Sequence, residues 1–249
     1  MVTPLLPRAR RSFPLAALIA VLLFGSSFVS TDARRPSPHL NVVFLGDSVT
    51  VGVGASGPTT SYSAIVLERL RSDDFDISDQ VIVSAFGGIY TDMAKASELV
   101  ARSKETEALI IVEVGAHSVI ENRSMPLTTY RRTYGLMLDC LLAAGAPVVV
   151  GTVPSLDWRP SDPLYARANA ISSIIAEEAA ARAIPIADIW NATRDRPDLV
   201  SDDGMHPNDE GHLVIADAYW ERIASAVHAG SHETSACPYS TGDLAKLLR

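Results

Sequence analysis

The sequence contains few cysteines, few aromatic residues and no excess of positive charge. Among its 249 residues are two cysteines and 6% aromatic residues, and its formal net charge is −8 at pH 7. Because an acidic surface repels phosphate groups, this charge argues against nucleic acid or an anionic membrane surface as a partner. The 47% of hydrophobic residues and 20% of charged residues are typical of a globular protein with one sizeable core.

The two cysteines, Cys140 and Cys237, leave two interpretations open. Neither has a neighbouring pattern that indicates a nucleophile or a metal site. In an exported protein, one disulfide bond between them is plausible. Cys140 lies in an apolar stretch of helical period, however, so a buried thiol is the alternative.

The N-terminal segment has the layout of an export leader, or signal peptide. Arg8, Arg10 and Arg11 precede an apolar run over residues 13–24, and small polar residues follow. This run is shorter than the about 18 clean apolar residues that a membrane span needs, although an uncleaved anchor stays open. The adjacent arginines resemble a twin-arginine export signal, which Pro14 interrupts. We therefore expect a secreted or envelope-associated protein, without a stable membrane span once the leader is removed.

Composition divides the chain into four segments. We predict an export leader over residues 1–33, a proline-containing linker over 34–40, one globular domain over 41–229 and a C-terminal tail over 230–249. The tail shows no clear period, and we find no internal repeat in the domain. The search for function therefore concentrates on the single domain.

Short apolar runs alternate with helical patterns along the domain. The runs lack polar alternation, which is typical of parallel strands covered on both faces, and they occupy residues 42–45, 81–85, 109–114, 148–153 and 184–189. The helical patterns recur every three or four residues within 62–70, 91–103, 130–141, 164–175 and 213–227. This order predicts an α/β fold: a three-layer α/β/α sandwich with a five-stranded parallel sheet, flavodoxin-like in arrangement.

Ligands of such sheets bind beyond the carboxyl ends of the strands, so the loops there are the places to look for chemistry. After the first strand comes Gly-Asp-Ser-Val-Thr over residues 46–50, in which Ser48 can present its hydroxyl at a tight turn. The alternative is a turn in which Ser48 only satisfies local backbone groups. The motif is neither a phosphate-binding loop nor a Gly-x-Ser-x-Gly elbow.

A second candidate motif, Asp-Gly-Met-His-Pro, lies over residues 203–207 near the end of the domain. Asp203 and His206 are three residues apart, so the carboxylate can accept from one imidazole nitrogen and leave the other facing the crevice. The alternatives are a capped turn or a metal site that adds His212, but the spacing fits no standard zinc pattern. His212 itself is expected to be a surface or capping residue of the last helix.

These blocks resemble the SGNH hydrolase superfamily, also called GDSL esterases and lipases, over roughly residues 41–224. The resemblance implies that Ser48 is the nucleophile, His206 the general base and acid, and Asp203 the residue that orients His206 in a catalytic triad. It also implies an SGNH hydrolase fold and a serine hydrolase that cleaves carboxylic esters through an acyl-enzyme, with no metal or cofactor.

The resemblance further implies an oxyanion hole, and here the sequence departs from the family pattern. The donors would be the N–H groups of Ser48 and Gly88, with Gly87 as the fallback because this loop is short. The third donor is usually an asparagine in Gly-x-Asn-Asp, but residues 115–118 are Gly-Ala-His-Ser. His117 therefore takes the asparagine position, where an imidazole can donate one N–H. Packing beside the crevice is the alternative role for His117.

The substrate is expected to be a small-molecule, glycan or lipid ester. Ile89 and Tyr90 are predicted to border the acyl pocket, and Trp158 is a candidate for stacking on a sugar or aryl group, with local packing as its alternative. Two other functions stay open: acyl transfer to a cell-envelope sugar or lipid by the same triad, and a non-catalytic envelope-binding module.

Overall fold

The computed structural model of the protein describes residues 39–73, 75–84, 89, 94–96, 108–121, 123–229 and 237. Within these residues, five parallel strands form one sheet in the order β2-β1-β3-β4-β5. The strands are β1 His39–Gly46, β2 Asp76–Ser84, β3 Ala108–Glu113, β4 Val148–Gly151 and β5 Ile186–Ala187. The predicted α/β architecture with a five-stranded parallel sheet is therefore confirmed.

Helices connect these strands in the part of the chain that the structure describes. They are α1 Ser48–Val51, α2 Tyr62–Ser72, α3 Ala116–Ile120, α4 Leu127–Leu142, α5 Pro163–Ala180, α6 Ile189–Thr193 and α7 Asp209–Ala229, with a 3-10 helix at Pro197–Leu199. None of these helices has both the length and the apolar character needed to cross a membrane. Of the helix predicted over residues 91–103, only 94–96 lie among the described residues, and these are helical.

Two hydrophobic clusters cover the two faces of the sheet. Alternate residues of β3 enter opposite clusters: Ile110 and Val112 pack with α4 and α5, whereas Leu109 and Ile111 pack with α2 and α7. Every residue of β3 is buried, which explains why its sequence lacks polar alternation. Tyr219 of α7 is also fully buried, and its hydroxyl donates to the Val112 carbonyl over 2.7 Å, which seats the last helix on the sheet.

The boundaries of several elements differ from those expected from the sequence. β1 begins at His39, so the last two residues of the predicted linker belong to the strand. β5 is only two residues long, because the apolar residue Ile189 begins helix α6 after its capping residue Asp188. Ile189 is fully buried, and burial gives a short helix the same apolar signature as a strand. Helices of four or five residues show too little period to be predicted.

The cysteines form a disulfide bond in this structure. Cys140 is fully buried on α4, and it is joined to Cys237, which lies beyond the end of α7. The bond links positions 97 residues apart. A cross-link of this span restricts the unfolded chain strongly.

Replacing Cys237 with serine is therefore expected to lower the free energy of unfolding by about 3–5 kcal/mol. Urea denaturation of the full-length protein measures this change. Reduction of the wild type should produce the same loss, whereas reductant should leave the Cys237→Ser variant unchanged. Equal stability of the variant and the oxidised wild type would contradict the prediction.

Candidate active site

The first part of the site is the turn that joins β1 to α1. Asp47 is buried and caps α1, since its Oδ1 accepts the Val49 N–H over 3.1 Å. Gly46 is required by space: a Cβ there would lie 1.9 Å from Thr50 Oγ1 and 2.6 Å from the Glu113 carbonyl oxygen. The turn can therefore pass close to β3 and present Ser48, the first residue of α1, at the carboxyl edge of the sheet.

The structure brings Ser48 together with two residues that lie more than 150 positions later in the chain. Ser48 Oγ is 2.9 Å from His206 Nε2, and His206 Nδ1 is 2.6 Å from Asp203 Oδ2. A carboxylate only accepts, so Nδ1 carries the proton and Nε2 is left to accept the serine hydroxyl. This is the relative arrangement of a nucleophile, a general base and an orienting carboxylate.

Asp203 is partly exposed but strongly hydrogen-bonded. Its Oδ1 accepts from the N–H of Met205 (2.8 Å), the N–H of His206 (2.9 Å) and the hydroxyl of Ser201 (2.8 Å). Desolvation alone would raise the pKa of Asp203, but the hydrogen bond from the His206 ring, with the backbone and Ser201 donors, holds this pKa well below its ordinary value. The carboxylate therefore stays charged wherever an imidazole titrates.

The loop that carries Asp203 and His206 is closed by backbone pairing. The Ser201 N–H donates to the His206 carbonyl over 2.8 Å, and Val200 forms an isolated antiparallel bridge with Pro207. Gly204 adopts a φ of +69° at the tip, a conformation that other residues rarely adopt. The bridge at its base holds the loop in shape, so His206 does not depend on long-range contacts alone for its position.

A buried acidic pair lies beneath the nucleophile, and sequence analysis missed one of its members. Glu113 is fully buried at the end of β3, where it accepts from Thr50 Oγ1 over 3.1 Å. Burial raises the pKa of Asp47, and the neighbouring Glu113 is among the groups that act against this rise. In the sequence, Glu113 stands out as a single acidic residue in an otherwise apolar strand, a pattern that could have indicated this buried site.

His117 lies on α3, at the carboxyl end of β3. Its side chain is about 20% exposed, and Nδ1 is 3.2 Å from Glu121 Oε2, one helical turn later. Gly46 lies opposite Glu113 in the sheet, so the helix that carries His117 begins close to the serine turn. His117 is also among the groups that oppose the effect of burial on the pKa of Asp47. The histidine that replaces the usual asparagine is thus held by a carboxylate beside the candidate site.

The remaining predicted substrate contacts have different outcomes. Gly88, its alternative Gly87, and Tyr90 lie outside the described residues. Ile89 is fully buried in the hydrophobic core, so the expectation that it borders a pocket is wrong in this structure: an apolar residue beside the loop packs inward instead. Trp158 packs partly against the same core and borders a cleft of about 250 Å³, so its role in binding stays a prediction.

His212 is not at the surface, contrary to the prediction. It is fully buried in the first turn of α7 because its ring hydrogen-bonds backbone groups on both sides. Within the described residues, no group of three His, Cys, Asp or Glu side chains is arranged to hold a metal ion. The buried position of His212, like that of Glu113, was not predicted from the sequence.

A parallel five-stranded sheet with this serine turn and this histidine loop defines an SGNH-type esterase. The chain belongs to the GDSL-like lipase/acylhydrolase family, whose model matches residues 44–214. It is also 30% identical over 189 residues to a GDSL lipase of Mycobacterium tuberculosis, covering 71% of this chain and 78% of that protein.

Solved structures share the same fold. TesA matches with a TM-score of 0.60 and 19% identity, over 76% of this chain and 99% of that chain. The acetyl xylan esterase AlAXEase matches with a TM-score of 0.58 and 22% identity, over 74% and 99% of the two chains. At these identities the likeness shows the fold, and substrate has to be argued separately.

Proposed function

We propose that this protein hydrolyses carboxylic esters through an acyl-enzyme formed on Ser48. Ser48 Oγ attacks the ester carbonyl while its proton passes to His206 Nε2, which then gives the proton to the departing alcohol. Water, deprotonated by the same nitrogen, attacks the acyl-enzyme and releases the carboxylic acid. The observation that supports this proposal is the continuous pair of hydrogen bonds from Ser48 through His206 to Asp203.

The tetrahedral intermediate requires donors for its oxyanion. We propose the N–H groups of Ser48 and Gly88 together with one N–H of His117, which has to be released from Glu121 because a neutral imidazole carries a single N–H. Gly88 enters on the family resemblance alone. His117 is supported by its place at the end of β3 and its electrostatic interaction with Asp47. Preorganised donors of this kind are usually the largest contribution to catalysis in acyl transfer.

We further propose that the protein acts outside the cytoplasm on acyl esters of glycans or small molecules. The leader pattern over residues 1–33 and the Cys140–Cys237 disulfide support export. The partly exposed aromatic ring of Trp158 suits stacking on a sugar or aryl group. The fold shared with an acetyl xylan esterase makes acetylated polysaccharide a natural first substrate to test.

The proposal is tested by assaying the full-length protein against p-nitrophenyl acetate, butyrate and palmitate and against acetylated xylan. We expect release of acid and alcohol at rates that depend on Ser48 and need no added alcohol. Product formation only with an added acceptor alcohol would indicate acyl transfer instead. Absence of turnover, with no labelling of Ser48 by a fluorophosphonate, would overturn the proposed chemistry and favour a binding module.

Substitutions at His117 should separate an oxyanion donor from a packing residue. His117→Ala is expected to lower kcat about a hundredfold with little change in KM, because a donor to the oxyanion acts in the transition state. His117→Asn restores an N–H donor and should be much faster than the alanine variant. Steady-state kinetics on an aryl acetate measure both. Equal kcat values for the alanine variant and the wild type would leave packing as its role.

A further inference from the structure

His212 makes two hydrogen bonds that fix its proton. Its Nδ1 accepts the backbone N–H of Tyr62 over 3.3 Å, and its Nε2 is 3.2 Å from the carbonyl oxygen of Val53. A backbone amide only donates and a carbonyl only accepts, so the ring is neutral with its proton on Nε2. The ring is fully buried and stacks on Tyr62 with an interplanar angle of 17°.

These bonds reach the nucleophile through one residue. The N–H of Val53 donates to the carbonyl of Ser48 over 2.9 Å, while the carbonyl of Val53 accepts from His212. His212 lies on α7, only six residues after His206. The histidine loop and the serine turn are therefore connected by a path of two hydrogen bonds that does not pass through the reacting atoms.

The loop around Val53 also touches the histidine loop directly. Gly54 has a φ of +90°, and a Cβ there would lie 2.3 Å from the Pro207 carbonyl oxygen and 2.8 Å from His206 Cβ. Two residues later, Ser56 donates its N–H (2.7 Å) and its hydroxyl (2.5 Å) to the carboxylate of Asp209. The segment over residues 53–56 thus contacts both the serine turn and the histidine loop, and residues of α7 hydrogen-bond it at both ends.

We propose that His212 is a positioning residue of the active site, which sets the distance between the Ser48 turn and His206 and does so only when its ring is neutral. The inference rests on the proposed esterase function. A second proton would go on Nδ1, directly opposite the Tyr62 N–H, so the contact would become repulsive and the hold on Val53 would weaken.

The surroundings of His212 favour the neutral ring. Burial lowers the pKa of His212, the Val53 carbonyl and the charge of Asp209 act in the opposite direction, and His206 lowers it further. Tyr62, stacked on the ring, has a pKa raised by burial and stays neutral. Since folding depresses this pKa, the contribution of His212 is complete above the ordinary value of about 6.5 and is lost only when the pH falls through the lowered pKa of the folded protein.

The test compares two substitutions in the full-length protein. His212→Phe keeps a buried ring but removes both hydrogen bonds, whereas His212→Gln carries a donor and an acceptor that do not titrate. We expect His212→Phe to lower kcat by about tenfold to a hundredfold with a smaller change in KM, and His212→Gln to recover most of the loss. Leu213→Gln, an exposed position on the same turn, is the matched control and should behave as wild type.

The fall of kcat/KM at acidic pH provides a second test. A residue that only stabilises the fold would not change the slope of this fall. In the wild type, the plot of log kcat/KM against pH should gain an additional slope of about one at acidic pH as His212 takes up a proton, while His212→Gln should lack this additional slope. If His212→Phe does not fold, this comparison alone decides. Retention of the additional slope in His212→Gln, or wild-type kcat in folded His212→Phe, would overturn the inference. Absence of Ser48-dependent turnover in the wild type would overturn the proposed function as well.

Discussion

Replacing Ser48 with alanine is expected to reduce ester turnover by about 10⁴-fold or more, without a comparable change in stability. Ser48 Oγ lies 2.9 Å from His206 Nε2, and no other hydroxyl forms a hydrogen bond with that nitrogen among the described residues. Loss of the nucleophile leaves only binding and the oxyanion donors, and in serine hydrolases these supply a small residual rate. Steady-state assays with an aryl acetate, together with fluorophosphonate labelling, measure the loss.

The matched control for this experiment is Ser173→Ala. Ser173 is an exposed serine on α5 whose hydroxyl donates to the Asn169 carbonyl, so its removal should leave turnover and labelling unchanged. Mass spectrometry of the labelled wild type should place the phosphonate on Ser48 alone. Retention of wild-type turnover in Ser48→Ala would reject the mechanism.

Asp203→Asn should have the second largest effect, a loss in kcat of about 10³- to 10⁴-fold. An asparagine amide facing Nδ1 can donate, which moves the imidazole proton to Nε2, where it opposes the Ser48 hydroxyl. The three donors on Oδ1 would keep the loop in place, so the change is one of tautomer more than of structure. Measurement of kcat across pH, with a thermal denaturation check, tests this reasoning.

Asp202→Asn is the control for charge. It removes the same charge from the adjacent, exposed residue and should leave kcat within about twofold of the wild type, since surface charges interact weakly through water. Similar losses in both variants would mean that the charge of the loop matters and not the orientation of His206. The depressed pKa of Asp203 also predicts that this carboxylate stays charged in mildly acidic solution, so its protonation does not cause a loss of kcat there.

The sequence was sufficient for the features that depend on local patterns. Uninterrupted apolar runs predicted buried parallel strands. The position of Ser48 directly after the first of them, together with the spacing of Asp203 and His206 and the family resemblance, predicted a site. The disulfide was left open, since Cys140 looks the same in an apolar helix whether it is bonded or not. The structure answers the question, because the fold brings Cys140 and Cys237 within bonding distance.

Other parts of the site depend on pairs that no local pattern reveals. Glu113 meets the Thr50 hydroxyl 63 residues away, and His212 meets Tyr62 at a separation of 150. Each looked ordinary in sequence: one acid in a strand, one histidine near a helix start. Ile89 was expected to border the acyl pocket but is buried in the core. An apolar residue near a loop can face either a ligand or the core, and its sequence does not distinguish the two.

The separation between the two halves of the site affects when activity can appear. Ser48 follows β1 near the start of the domain, whereas His206 precedes the last helix, 158 residues later. A chain still emerging from the ribosome, or one threaded unfolded across a membrane, contains the nucleophile but has no base beside it. The proposed hydrolysis therefore requires α7 to be docked on the sheet, because His206 lies beside Ser48 only in the folded domain.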